Sequence, residues 1–209
     1  MNLQTRRFLL EGAAGAIEAV RDDPASEQPA RGVAVIAHPH PLFGGTMDNK
    51  VVQTLARAFV QCGWSAVRFN FRGVGASAGV HDEGRGETED LLALIAQLAP
   101  SGALALAGFS FGSFVASRAL VRLWPERTIE KIVFVGTAVA RLEVAQVPVQ
   151  AHERTLVIHG EQDDTVPLAA VLDWARPQSL PVTVIPGGGH FFHGQLPLLK
   201  NLVVRHLRS

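Results

Sequence analysis

The most informative segment of the chain is Gly108-Phe109-Ser110-Phe111-Gly112. It follows an apolar run at residues 103–107 and precedes a helix-like stretch at residues 113–123. A Gly-x-Ser-x-Gly segment between a strand and a helix can hold a serine hydroxyl out on a strained turn. The glycines are needed because the two backbones approach too closely for a Cβ. The sequence therefore predicts a strand, a tight turn that presents Ser110, and a helix.

Predicted strands and helices alternate along the rest of the chain. The strands are expected at residues 3–11, 14–21, 33–37, 65–70, 103–107, 129–135, 155–159 and 181–185, and the helices at residues 48–61, 87–98, 113–123, 168–174 and 196–207. The first two strands form a hairpin that a polar loop at residues 22–31 follows. This order predicts an α/β fold with a mostly parallel sheet of about eight strands, an antiparallel N-terminal hairpin and helices on both faces. No linker interrupts it, so residues 1–209 are expected to form a single domain.

Composition narrows the class of protein. The 209 residues are 47% hydrophobic, which suits one domain with a sizeable core. Nineteen basic and nineteen acidic residues balance, which disfavours nucleic acid as a partner. Cys62 is the single cysteine, so no internal disulfide can form. No apolar run reaches the ~18 residues of a membrane span, and the N-terminus lacks the features of an export signal. We expect a cytoplasmic protein with no membrane partner, either a monomer or a homodimer.

Two downstream segments can supply the groups that activate a serine. A serine hydroxyl needs a neighbouring base, and the base needs an orienting carboxylate. One segment follows a predicted strand and carries Asp163 and Asp164, and the other follows the last strand and carries His190, with His193 as a competing base. In an open α/β sheet such groups meet at the carboxyl ends of the strands. The sequence therefore predicts that a serine, an aspartate and a histidine converge there.

Taken together, these segments resemble the α/β-hydrolase superfamily. The resemblance rests on residues 108–112, on residues 160–167 (Gly-x-x-Asp-x-x-Val-Pro) and on residues 189–190 (Gly-His). Residues 70–77 are similar to the loop after the fourth strand of that superfamily. The small size resembles its lid-less, dienelactone-hydrolase-like bacterial members, and the similarity covers nearly the whole chain. The resemblance implies a single α/β-hydrolase domain.

The resemblance also implies specific roles. Ser110 is expected to be the nucleophile, Asp163 rather than Asp164 the orienting acid, and His190 the general base. The stretch at residues 136–153, where this superfamily often inserts a lid, is too short for a helical cap domain. The cleft is therefore expected to be open and to favour small or short-chain acyl groups. Neither a cofactor nor a metal ion is implied.

An oxyanion hole needs two donors, which we expect to be backbone N–H groups. One is expected to be the N–H of Phe111, which opens a helix whose dipole favours negative charge. The second is expected in the loop at residues 38–45, where the two prolines have no N–H and leave His40 or Leu42. The similarity of residues 42–44 to the oxyanion loop of dienelactone hydrolases favours Leu42.

Several other side chains have both a functional and a structural interpretation. His40, Phe109 and Phe191 are candidates for lining a substrate pocket, with core packing as the alternative for the two phenylalanines. His38, His40 and His81 form no recognised ligand spacing, so no metal site is predicted.

The sequence thus predicts a serine hydrolase that cleaves small or short-chain carboxylic esters through an acyl-enzyme. Its expected partner is a small-molecule ester. A thioesterase or a small-peptide hydrolase with the same three residues is an alternative, because all three reactions pass through the same tetrahedral chemistry. A non-catalytic binding module of the same fold is a second alternative.

Overall fold

The computed structural model describes residues 4–25, 29–124 and 126–209. Its strands are β1 (Gln4–Gly12), β2 (Gly15–Asp23), β3 (Val33–Ala37), β4 (Ser65–Phe69), β5 (Leu104–Phe109), β6 (Lys131–Val135), β7 (Thr155–Gly160) and β8 (Val182–Ile185). Its α-helices are α1 (Lys50–Gln61), α2 (Arg85–Leu98), α3 (Phe111–Leu123), α4 (Leu168–Ala175) and α5 (Leu196–Arg208). Short 3₁₀ turns occur at Pro41–Phe43, Val149–Arg154 and Arg176–Gln178. The predicted strand residue Leu3 and residues 26–28 of the predicted loop lie outside the described residues.

Within the described ranges, the strands form one eight-stranded sheet in the order β1-β2-β4-β3-β5-β6-β7-β8. β1 pairs antiparallel with β2, and β2 pairs antiparallel with β4. All further pairings are parallel. The predicted α/β fold with an antiparallel N-terminal hairpin is confirmed. Because parallel strands end at the same edge, the loops after β3, β5, β6, β7 and β8 lie at one edge of the sheet.

Helices cover both faces of this sheet. On one face α2, α3 and α4 bury side chains such as Leu94, Val115 and Val171. On the other face α1 and α5 bury side chains such as Leu55 and Leu199. The central strands β3 and β5 are apolar along their whole length because both of their faces are covered. None of the helices in the described residues is both long enough and apolar enough to cross a membrane.

Some elements end at different residues from those predicted, for local reasons. β5 continues through Phe109 because its pairing with β6 extends to Val135. α1 begins two residues later than predicted because Asn49 caps it, with its side chain accepting the N–H of Val51. These differences leave the order of the elements unchanged.

A buried histidine ties the loop after β3 to the chain that leaves β4. The N–H of Phe71 donates to Nε2 of His38 (3.0 Å), so the ring proton lies on Nδ1, which donates to the carbonyl of Pro39 (2.6 Å). Burial lowers the pKa of His38 from 6.5 to about 4, against the opposing effect of the Pro39 carbonyl. The ring is therefore neutral near pH 7, and its protonation would remove the acceptor that holds Phe71.

We expect the free energy of unfolding to fall as the pH decreases from 6.5 to about 4. In this window the unfolded chain binds a proton at His38 that the folded protein excludes. The free energy of unfolding is thus about 3 kcal/mol higher above this window than below it, because protonation of His38 stabilises only the unfolded state between the two pKa values. Urea unfolding at a series of pH values measures the effect.

A His38→Gln variant is the matched comparison and should show a shallower pH dependence in the same window. The free energy of unfolding of this variant should still depend on pH to some extent, because burial and the nearby Lys131 also lower the pKa of His206 to about 4. A variant whose slope equals that of the wild-type protein would show that His38 is not responsible.

Candidate active site

Residues 108–112, called the serine turn below, join β5 to α3 at the carboxyl edge of the sheet. Ser110 has φ 56° and ψ −117°, a left-handed backbone conformation that is strained for any residue with a side chain. Its N–H donates to the carbonyl of Val135 at the end of β6 (2.9 Å). α3 begins at the next residue, two residues earlier than predicted. The turn therefore holds the Ser110 side chain beside the N-terminus of a helix.

Both glycines of the serine turn are required by close backbone contacts. A Cβ on Gly108 would lie 2.5 Å from the backbone nitrogen of Ser113, and a Cβ on Gly112 would lie 2.7 Å from the carbonyl oxygen of His38. The hydroxyl of Ser113 also donates to the carbonyl of Gly108 (2.8 Å), which fastens the first turn of α3 to β5. The expectation that backbone proximity demands glycine at these two positions is confirmed.

Asp163, His190 and Ser110 form a continuous hydrogen-bond chain. Nδ1 of His190 lies 2.7 Å from Oδ2 of Asp163, and Nε2 of His190 lies 3.1 Å from Oγ of Ser110. An ionised carboxylate can only accept, so Nδ1 carries the ring proton and Nε2 can accept the proton of the Ser110 hydroxyl. The structure thus brings together the three side chains that the sequence analysis selected.

The carboxylate of Asp163 is held in place by backbone donors. Its Oδ1 accepts the N–H groups of Thr165 (2.9 Å) and Val166 (2.8 Å). Burial would raise the pKa of Asp163, but the hydrogen bonds from His190 and from the Val166 N–H outweigh this effect and lower it. The group is therefore ionised at neutral pH.

The alternative acid and base lie away from this chain. Asp164 is exposed and accepts a hydrogen bond from the hydroxyl of Thr165. His193 is also exposed, and its ring lies 6.0 Å from that of Phe191. Within the described residues neither side chain hydrogen-bonds to Ser110 or His190. The geometry favours Asp163 and His190.

The loops that carry the acid and the base are locked to each other. The N–H of Gln162 donates to the carbonyl of Gly188 (2.8 Å). A Cβ on Gly160 would lie 2.7 Å from the carbonyl carbon of the same Gly188. The loop after β7 therefore packs backbone against backbone on the loop after β8, which requires glycine at position 160. This contact sets the spacing of Asp163 and His190.

A cleft of about 420 Å³ opens over Ser110. Its walls are mainly apolar, and the residues that line it are Pro39, His40, Phe43, Gly44, Gly45, Asn49, Ser110, Phe111, Ala138, Ala140, Arg141, Leu142, Thr165, Val166, His190 and Phe191. The predicted lining residues His40 and Phe191 are among them. A larger groove of about 830 Å³ beside α2 contains none of the three hydrogen-bonded residues, so cavity volume alone does not locate the site.

Phe109 does not line the cleft, and this part of the sequence prediction is corrected. Its side chain is fully buried, with its ring 5.0 Å from that of His190. Phe109 is the last residue of β5, and its side chain belongs to the buried cluster that also contains residues of α1 and α5. Phe109 thus supports the His190 ring from behind.

Among the residues that line the cleft with Ser110, Phe111 and His40 each have a backbone N–H without an acceptor in the described residues. The N–H of Leu42 is instead donated to Nδ1 of His40 (3.3 Å), and the Leu42 side chain is 68% exposed. The ring of His40 lies 4.8 Å from that of Phe111. Of the two N–H groups that the sequence analysis considered, the one without an acceptor is therefore that of His40 and not that of Leu42, which the sequence analysis preferred.

The loop after β6 contributes a wall of the cleft that the sequence analysis did not anticipate. Ala138, Ala140, Arg141 and Leu142 all belong to this loop and line the cleft. The sequence identifies the stretch only as too short for a cap domain. The order of the strands could have identified this wall. Because β6 lies next to β5, the loop that follows β6 must border the serine turn.

Comparison with known proteins agrees with this geometry. Residues 28–154 match the family model Hydrolase_4, described as serine aminopeptidase, S33. The crystal structure of an α/β serine hydrolase without lid from Xanthomonas campestris is 34% identical, with a TM-score of 0.87 over 98% of this chain and 94% of that chain. An α/β serine hydrolase homologue from Coxiella burnetii is 37% identical, with a TM-score of 0.83 over 97% of each chain. An uncharacterized protein of Rickettsia prowazekii is 40% identical over 94 residues, which are 43% of this chain and 40% of that protein.

The chain belongs to the Hydrolase_4 family and, with it, to the α/β-hydrolase superfamily that its sequence resembles. Within that superfamily it is a serine hydrolase, and its solved relative from Xanthomonas also has no lid.

We expect Gly112→Ala to destabilise the protein by about 1–3 kcal/mol or more, because the new Cβ meets backbone atoms that cannot move aside. Gly189→Ala is the matched control. Gly189 lies in the loop that carries His190, and its Cβ would meet no atom closer than 3.9 Å, so its effect should stay within about 0.5 kcal/mol. Urea unfolding of the two variants measures the difference, and equal stabilities would contradict the account of the serine turn.

Proposed function

We propose that this serine hydrolase cleaves small or short-chain carboxylic esters by acyl transfer to water. The observation that carries the proposal is the hydrogen-bond chain from Asp163 through His190 to Ser110 at the floor of an open cleft. A hydroxyl aligned with an imidazole nitrogen, on a ring that an ionised carboxylate orients, is the arrangement that makes serine a nucleophile. Membership of a serine hydrolase family supports the same chemistry.

The proposed reaction has two halves. Oγ of Ser110 attacks the ester carbonyl carbon while its proton passes to Nε2 of His190. The tetrahedral intermediate collapses, the alkoxide leaves with the proton from His190, and an acyl-Ser110 ester remains. Water then attacks this ester with His190 as the base, and the carboxylic acid is released as the Ser110 hydroxyl re-forms. Asp163 stays ionised throughout and stabilises the charged imidazole.

Two backbone donors stabilise the oxyanion in this proposal. The N–H of Phe111 opens α3, whose dipole also favours negative charge at that position. The N–H of His40 is the second donor. Burial and the nearby His81 lower the pKa of His40, against the opposing effect of Glu87, so its ring is neutral near pH 7 and can accept the Leu42 N–H. That bond sets the shape of the loop that presents the His40 N–H.

The dimensions of the cleft support a small substrate. Its volume of about 420 Å³ lies at the lower end of the range for small-molecule sites. The chain between β6 and β7 contains one short 3₁₀ turn, Val149–Arg154, and no α-helix in its described residues that could cover the cleft. A long acyl chain would therefore extend into water instead of being enclosed.

A peptidase and a thioesterase remain alternatives, because both would use the same three residues. The description of the matching family as serine aminopeptidase favours a peptidase. However, an aminopeptidase must hold a cationic N-terminus, and no Asp or Glu lines the described cleft, whereas Arg141 does. A binding module is disfavoured, because binding alone does not require this hydrogen-bond chain.

We expect Ser110→Ala to lower the turnover of p-nitrophenyl butyrate by at least about 10³-fold and to abolish covalent labelling by a fluorophosphonate. Ser101→Ala, which removes an exposed hydroxyl before β5, is the control and should keep both properties. Ester assays and intact mass spectrometry are the measurements. Labelling that persists in Ser110→Ala would refute the assignment of Ser110 as the nucleophile. Faster cleavage of a matched thioester or amide by the wild-type protein would refute only the preference for esters.

We expect His40→Pro to lower kcat by about 10²-fold relative to His40→Ala. Both variants lose the imidazole, but only proline removes the backbone N–H, and the φ of −55° at this position suits a proline ring. Steady-state kinetics on a small ester give the comparison. Equal kcat values in the two variants would assign the second donor elsewhere in the loop, with Leu42 as the first candidate.

A further inference from the structure

The cleft has one permanently charged lining residue, and that residue is cationic. Among the described residues around the cleft, Arg141 is the single arginine, there is no lysine, and there is no aspartate or glutamate. The other polar side chains that line it are those of His40, Asn49, Ser110, Thr165 and His190. A substrate that enters the cleft therefore meets a positive charge with no carboxylate beside it.

Arg141 has no ion-pair partner in the described chain, whereas seven of the 16 arginines form ion pairs. Those that form ion pairs are Arg7, Arg21, Arg68, Arg72, Arg85, Arg122 and Arg176. The side chain of Arg141 is exposed and stands in a turn beside Ala140 and close to Ala138, which are too small to screen it. Its guanidinium is thus available to a carboxylate, to which it can donate two parallel hydrogen bonds.

The neighbouring negative charges do not cancel this field inside the cleft. Asp163 lies behind His190, and both of its oxygens accept hydrogen bonds. Glu143 follows Arg141 by two residues but lines a separate depression together with Arg118. Asp164 adjoins the lining residue Thr165 and accepts a hydrogen bond from its hydroxyl, and Asp48 adjoins the lining residue Asn49 and pairs with Arg7 and Arg68, but neither carboxylate lines the cleft. Among the described lining residues, the permanent charge is therefore that of Arg141.

We propose that the natural ester carries a carboxylate close to its scissile carbonyl and that Arg141 recognises this carboxylate. The inference deepens the proposed function and rests on it. Arg141 is a specificity-determining residue here, because it binds the anionic group while Ser110 and His190 carry out the reaction. An uncharged ester of the same shape is cleaved by the same machinery, at a lower kcat/KM.

The test compares each anionic ester with its neutral carboxamide. Monomethyl glutarate and its carboxamide place the difference on the acyl side of the scissile bond, and para-acetoxybenzoate and para-acetoxybenzamide place it on the leaving-group side. The anionic member of at least one pair should have a kcat/KM about 10-fold higher in the wild-type protein, as expected for hydrogen bonds to a charged group. The pair that shows the preference identifies the side on which the carboxylate lies.

Variants connect the preference to Arg141. Arg141→Gln should remove the preference, so that the anionic and neutral members have kcat/KM values within about twofold of each other, and Arg141→Lys should keep part of the preference. Arg205→Gln is the control for net charge. It removes an exposed arginine of α5 that does not line the cleft, and this variant should behave as the wild-type protein. The preference should also shrink between about 0.01 M and about 1 M salt, because the Debye length falls from about 30 Å to about 3 Å.

The outcomes separate this inference from the proposed function. Cleavage of the neutral esters without a preference for either anion, or a preference that Arg141→Gln retains, would overturn the role of Arg141 and leave the esterase proposal standing. If no ester is cleaved, the proposed function fails, and calorimetric binding of the same pairs to Ser110→Ala still tests Arg141. Equal affinity for the anionic and neutral members would then overturn the inference as well.

Discussion

The close approach of three backbone segments at the serine turn is the constraint on which the site depends. Gly112 lies against the end of β3 and Gly108 against the first turn of α3, so neither position has room for a Cβ. This packing holds Ser110 at a positive φ, and the Val135 carbonyl accepts its N–H. The hydroxyl, the helix N-terminus and the loop after β3 therefore have one mutual arrangement before a substrate arrives, which is the preorganisation that electrostatic catalysis requires.

The parts of the fold and site that sequence patterns predict are those fixed by strand order and by local chemistry. Alternating strands and helices specify a parallel sheet, and the ends of its strands specify one functional edge. Ser110, Asp163 and His190 could each be selected because they follow a strand in the chain order of an α/β hydrolase. The preference for Asp163 over Asp164 came from the family pattern, and the backbone donors around Asp163 supply its physical reason.

The parts that could not be predicted depend on contacts between segments. An apolar residue at a strand end can face either the core or the cleft, and Phe109 is buried in the cluster that contains residues of α1 and α5. The choice between His40 and Leu42 depends on one loop hydrogen bond that composition does not reveal. Arg141 became visible only through the adjacency of β5 and β6. The ester preference, the partner class and the cellular location stay predictions.

The loop after β6 forms one wall of the cleft but carries none of the three side chains of the hydrogen-bond chain. The contacts that position those side chains belong to the serine turn and to the loops after β7 and β8. Substitution of the exposed Arg141 therefore changes the charge of the cleft and leaves in place the contacts that position those three side chains. The charge at this wall can thus vary independently of the hydrogen-bond chain, because the two are built from different loops.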